Sequence, residues 1–313
     1  MNQGISVLVP IKITGDMIKA GTSINEPDTT PAQDETAWVS GATYAVKVER
    51  VSSNRIWSST QAHSGRTKPP ELDPDYWNYM RPSNRHAPFD DYTSTAAKAV
   101  GSLTYVMQPG IFVDVALFGV VADRALIRVQ DGPDGPVLKE VDVDMWEQAL
   151  GLWELLFSPL GMSDQLALNA VPISAQQHLT VKLTGGAAAT VSLGTMHVGE
   201  WVSLTGGPRE GGTEYGAEAE PKSYSYIEGF PDGSWKIQKG HVATNVDFSG
   251  RLPAAQAQYV TAILRRILDV PVAIRATDLP EYSYLSTVGL VSGRVRAINR
   301  LEAQVTIKAK GAI

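Results

Sequence analysis

Short apolar runs with period two recur along almost the whole chain, each closed by glycine, proline or Asp/Asn, and only one stretch keeps a helical period. This pattern constrains the fold more than any other feature. Successive side chains of a strand point to opposite faces, so alternation lets one face be buried while the other stays wet. Tyr44, Val46 and Val48 alternate in this way, as do Leu179, Val181 and Leu183, whereas Phe112 to Val120 is apolar nearly throughout, as a buried strand would be. Asp131-Gly132-Pro133-Asp134-Gly135-Pro136 is a turn, and Gly185-Gly186 followed by Ala189 to Leu193 reads as a hairpin. Residues 4 to 13 read as a strand in which Pro10 marks an edge or an end of pairing. The one helix is expected over Pro253 to Leu268, with Pro253 in its first turn and Ala257, Val260, Ile263, Leu264, Ile267 and Leu268 as its apolar stripe. The expected fold class is mainly β: a β-sandwich with one helix in the C-terminal half.

Composition narrows the function classes. The 313 residues include no cysteine, which excludes disulfides, Cys-based zinc sites and Cys nucleophiles. The formal charge of -6 gives no basic footprint for nucleic acid. Arg294, Arg296 and Arg300 alternate with apolar residues, as the outer face of an exposed strand would. Residues 1 to 10 lack the features of a signal peptide, and no apolar run reaches the roughly 20 residues of a membrane span. The five histidines fall in no close metal spacing, and His197 in its apolar strand reads as a core histidine. No metal, no cofactor and no catalytic residue is therefore expected. The pairs that most resemble glycosidase carboxylates are Asp90-Asp91 and Asp142 with Asp144. Two residues apart on a strand, the latter would sit about 7 Å apart, near the separation of glycosidase carboxyls. Such pairs are also common on exposed strand faces.

Residues 36 to 84 are denser in aromatics. Trp38-x-x-Gly41-x-Thr43-Tyr44, Val48, Ile56-Trp57-x-Ser59, Pro69 and Trp77 follow one another with turn residues between them. The segment resembles the small chitin- or cellulose-binding modules of bacterial chitinases, with Ala45-Val46-Lys47 where those usually carry Gly-Asp after the tyrosine. The resemblance implies an inserted three-stranded sheet that stacks sugar on Trp57, Tyr76 and Trp77, over a small core of Trp38 and Tyr44. Two other readings stand beside it: Trp57 and Trp77 join that core, or the module docks another protein.

The wider order of motifs carries a second resemblance. Ile11-Lys12-Ile13-Thr14 precedes the module; Asn84-Arg85-His86-Ala87-Pro88-Phe89-Asp90, then Leu117 to Asp123, then Phe157-Ser158-Pro159 follow it. This layout resembles a group of bacteriophage virion proteins encoded among tail genes. It implies a non-enzymatic baseplate, tail-tip or fibre-attachment protein made in the host cytoplasm. Its partners would be other tail proteins, copies of itself in a ring, and a host surface glycan. In that reading residues 1–20 and 85–313 form one β domain, 36–84 is the insertion, and loops 16 to 37 and 205 to 223 reach between neighbours. The alternatives are a free carbohydrate-binding protein and a glycan-cleaving tail enzyme using Asp142 and Asp144.

Overall fold

The computed structural model describes residues 4–90, 95–146, 161–205, 212–229, 231, 234–238, 240 and 242–311. The protein is mainly β, with several sheets, one of them curled into a half-barrel. Among the described residues no helix is long and apolar enough to cross a membrane. Contacts gather the chain into two compact units, 1–11 with 197–313, and 12–196. The cut falls inside a strand, whereas the sequence reading grouped 1–20 with 85–313.

The first unit is built on a run of antiparallel strands. β1 (Ser6–Pro10) lies between the end of β12 (Thr190–Ser203) and β17 (Val272–Arg275). β18 (Ser286–Ala297), β19 (Glu302–Gly311), β16 (Val242–Pro253) and β13 (Glu218–Ser223) continue the sheet in that order. β1 is thus a central strand, and Pro10, paired with Gly199, sits at its last position, where a missing N–H costs little. β13 corrects the expectation of a loop over 205 to 223: Glu218 to Ser223 pairs in register with Asp247 to Val242.

The helix α1 (Ala257–Ile267) follows β16 through a 3₁₀ turn, Ala254–Gln256. Pro253 closes β16 instead of opening the helix, because its φ of -59° and ψ of 139° are extended. Val260, Leu264 and Ile267 are buried as the stripe requires, but Leu268 lies beyond the helix and is exposed. The stripe packs with Ile5, Val7, Phe248, Val305 and Ile307 of the sheet. At Gly293 of β18 an added Cβ would lie 2.8 Å from a Leu264 methyl, so the absent side chain lets α1 settle on the sheet. Gly293→Val is expected to cost about 1–3 kcal/mol by overpacking; an unchanged urea midpoint would show that α1 does not rest there.

In the second unit β6 (Ser102–Met107), β11 (Gln177–Thr184), β8 (Arg124–Asp131) and β9 (Val137–Asp144) form one sheet in that order. β5 (Ala97–Val100) pairs with the start of β12, and β10 (Gln165–Leu168) pairs with β7 (Asp114–Val121). The expected hairpin at Gly185-Gly186 is corrected. β11 pairs with β6 and β8, while Thr190 to Leu193 pairs with Val100 to Ala97, so the chain changes sheet at this turn. Val181 and Leu183 on one strand and Val191 and Leu193 on the other are all buried, and that pattern is the same whichever sheet a strand joins. Past β9 the chain is described only as far as Trp146 before residue 161, so the Phe157-Ser158-Pro159 phrase lies outside the described residues.

Candidate functional site

The Trp-rich segment forms its own three-stranded antiparallel sheet within the second unit: β2 (Glu49–Ser52), β3 (Arg55–Ser59) and β4 (Trp77–Pro82). Ser53 and Asn54 turn β2 into β3 with φ of 50° and 66°, the left-handed pair that a two-residue hairpin demands. Trp38 N–H donates to the Val51 carbonyl at 2.9 Å, and Tyr44 and His63 exchange backbone hydrogen bonds of 2.8 and 3.0 Å. Strand pairing alone therefore fixes where each aromatic ring stands.

The rings pack on one another. Tyr44, Trp57 and Trp77 are the buried core, with Trp38, Tyr76 and Tyr79 half-buried against it. Trp77 meets Tyr44 edge-on at 5.1 Å and His63 at 5.2 Å. The Trp57 indole N–H donates to the Ser52 carbonyl at 3.1 Å. The Tyr44 hydroxyl accepts from Val39 N–H at 2.7 Å and donates to its carbonyl at 3.0 Å. Trp57 is 8% exposed and Trp77 1%, so neither offers a ring face to a pyranose, and the expectation that they line a sugar-binding face is corrected. Fewer than 50 residues lack area for an aliphatic core, and the large rings supply it. Tyr76 is half-exposed, but the Arg66 guanidinium lies 3.6 Å from its ring centroid and is itself held by both oxygens of Asp73 at 2.6 and 3.0 Å.

The segment leaves the module through a buried polar junction. Glu35 accepts Asp28 N–H at 2.8 Å on one oxygen and Asn84 N–H at 2.7 Å on the other. The Asn84 side chain donates to Asp28 at 2.6 Å and to the Lys98 carbonyl at 2.9 Å, and accepts Lys98 N–H at 2.8 Å. Glu26 accepts from Ser83 at 2.9 Å and lies 3.3 Å from His86 Nδ1. Within the loop expected over 16 to 37, residues 26–35 are thus pinned to residues 83–86. Asn84 was legible as part of a motif; nothing in the sequence marked Glu35 as its partner.

Ser83, His86 and Glu26 bring a hydroxyl, an imidazole and a carboxylate together, yet the arrangement cannot make a nucleophile. Ser83 and Glu26 both face the same ring nitrogen, Nδ1, and the serine is fully buried. Burial pushes the Glu26 carboxyl up, but hydrogen bonds from His86 and Ser83 and the charges of His86 and Arg85 outweigh it and hold the group below its ordinary 4.5. Its stabilisation is therefore complete above that value and lost as pH falls through the lowered one. The stability gap between the wild type and Glu26→Gln is expected to be full near neutrality and to close in acid; a gap constant with pH would refute this coupling. Glu35 runs the other way: burial and the Asp28 charge raise it against its two backbone donors.

The remaining candidates are placed as follows. Asp142 is clamped by Arg124 at 2.7 Å on both oxygens, which lowers its pKa and keeps it a carboxylate; a general acid needs the opposite shift. Asp90 accepts from Thr95, and Asp91 lies outside the described residues. Arg294 and Arg296 are exposed on β18. His197 is a core histidine whose pKa burial lowers to about 4. No group of three or more His, Asp or Glu among the described residues could hold a metal ion.

No protein-family model matches the chain, and no curated protein matches it.

What sequence reasoning missed on the surface is the exposure of a small hairpin, β14 (Tyr226–Gly229) with β15 (Trp235–Gln238). Its strands were legible; the exposure of its side chains was not. Ile227 is 65% exposed, Trp235 63% and Ile237 48%.

Proposed function

We propose that this chain is a non-enzymatic structural protein of a bacteriophage tail, acting in a baseplate, tail tip or fibre attachment by assembling with copies of itself and with other tail proteins. The observation that carries the reading is the β14–β15 hairpin. A two-stranded hairpin is marginal in water, and this one leaves an indole and two isoleucines uncovered. Such a surface serves a protein whose activity is to be covered by a neighbour. The order of motifs along the chain supports the tail assignment. The Trp-rich module serves in this reading as a docking element, since its rings are spent on its own core and Tyr76 is capped by Arg66.

Sedimentation of the purified full chain over a wide concentration range tests the assembly. A single closed species of fixed subunit number is expected, and a monomer throughout would overturn the reading. A polysaccharide pull-down with wild type and Tyr76→Ala tests the module. Retention by chitin or cellulose that is lost in the variant would make the module a glycan reader instead.

A further inference from the structure

The Trp-rich module is tied to the rest of the second unit where the chain enters it, where the chain leaves it, and where the Ser53-Asn54 turn folds back. The body side is firm. Lys19 N–H donates to the Val106 carbonyl at 2.7 Å and Ser23 N–H to the Thr104 carbonyl at 2.9 Å, so the stretch ahead of the entry lies along β6. Past the exit, the Tyr105 hydroxyl donates to the Arg85 carbonyl at 2.9 Å, and the Phe89 and Tyr105 rings meet edge-on at 5.6 Å.

The turn rests on both. A Cβ on Gly15 would stand 3.0 Å from the Asn54 amide, so the amide lies directly against the backbone there. With its nitrogen facing the carboxylate, the same amide reaches the two Glu26 oxygens at 3.0 and 3.3 Å. Glu26 also accepts from Ser83 Oγ at 2.9 Å and lies 3.3 Å from His86 Nδ1. One carboxylate on the entry thus gathers the module's turn and the chain's exit. The module's own support lies elsewhere: its sheet is β2, β3 and β4, and its core is Tyr44, Trp57 and Trp77.

We propose that Glu26 is a proton-operated latch: as a carboxylate it holds the Ser53-Asn54 turn against the body, and on taking up a proton it lets the folded module pivot about the Glu35–Asn84 crossing. A carboxylate accepts on both oxygens, whereas a carboxylic acid carries a donor on one of them. Ser83 uses one Glu26 oxygen, His86 the other, and Asn54 both, so a proton on either displaces a partner.

The titratable and charged groups facing Glu26 are His86 and Arg85 from the exit and Tyr105 from β6, while the turn offers the uncharged Asn54 amide. Burial raises the Tyr105 hydroxyl and keeps it neutral. Burial also favours protonated Glu26, but the hydrogen bonds and charges around it hold it below its ordinary 4.5. The latch is therefore closed above that value and opens as pH falls through the lowered one. Glu35 has the opposite sign. Burial raises it, so its contribution is present below its ordinary 4.5 and is lost as pH rises through the raised value. Acid that opens Glu26 leaves the pivot in place.

The chain has no cysteine, so a spin-label pair can be set at Val46→Cys in the module and Val100→Cys on β5, both exposed positions. Pulsed electron resonance on the full chain reads the distance between them. A single narrow distance is expected at neutral pH, broadening reversibly below pH 4.5 while the near-ultraviolet circular dichroism of the aromatic core is kept. Glu26→Gln on the same labelled chain is neutral at every pH and is expected to show the broad distribution already at neutrality. A narrow distance in folded Glu26→Gln at neutral pH would overturn the latch. So would a wild type whose distance stays narrow in acid, or broadens only together with loss of the aromatic signal, since the module would then unfold instead of pivoting. If Glu26→Gln does not fold, the wild-type titration alone decides.

Discussion

Trp77→Ala is expected to cost about 3–5 kcal/mol, the range for emptying a buried large aromatic site, and to unfold the Trp-rich module while the sheets of the first unit remain. Trp77 is nearly fully buried, at the junction of β4 with the Tyr44 and His63 rings. Removing it strips the edge contacts from both rings at once, and the cluster around it is mostly aromatic, with only Ala42 and Val48 as aliphatic side chains packed against it. Urea unfolding followed by near-ultraviolet circular dichroism reads the effect as an early transition absent from wild type. Trp235→Ser is the contrast, because Trp235 is mostly exposed; its effect on stability is expected within about 0.5 kcal/mol. Equal losses in the two variants would contradict the burial that separates them. The same argument governs binding assays: lost sugar retention in a Trp77 variant would report unfolding, so Tyr76→Ala is the informative change.

Asn84→Ala is expected to destabilise the junction by about 3 kcal/mol or more. Its amide satisfies Asp28 and both backbone groups of Lys98, and a buried polar group left unpaired costs about 1–3 kcal/mol. Asp28 is the worst of these, because it is a buried carboxylate beside a second one, Glu35. Faster proteolysis within residues 22–37 and a lower urea midpoint are the expected readouts. An unchanged midpoint with unchanged cleavage would mean that water replaces the amide and that the junction is not a closed network.

Much of this fold can be read from single residues. The buried run of β7, the turn at residues 131–136 and the face of α1 carrying Val260, Leu264 and Ile267 all follow from local sterics and the period of apolar side chains. Such signals act within a few residues, so a sequence displays them directly. What each element packs against is a different matter. Leu179 to Leu183 and Val191 to Leu193 alternate alike, yet they belong to different sheets, because alternation states which face is buried and not which strand lies alongside.

The tryptophans make the same point. The sequence by itself determined that residues 36–84 would be a small β module held by aromatic rings, since so short a segment has little else to bury. Only the tertiary structure decided that Trp57 and Trp77 are inside, that Arg66 covers Tyr76, that Glu35 meets Asn84, and that Trp235 is left outside. Each of those outcomes depends on groups brought together from distant positions in the chain. An aromatic side chain has the same composition and local propensity whether it ends in a core or on a surface, and the chain folded over it makes the difference.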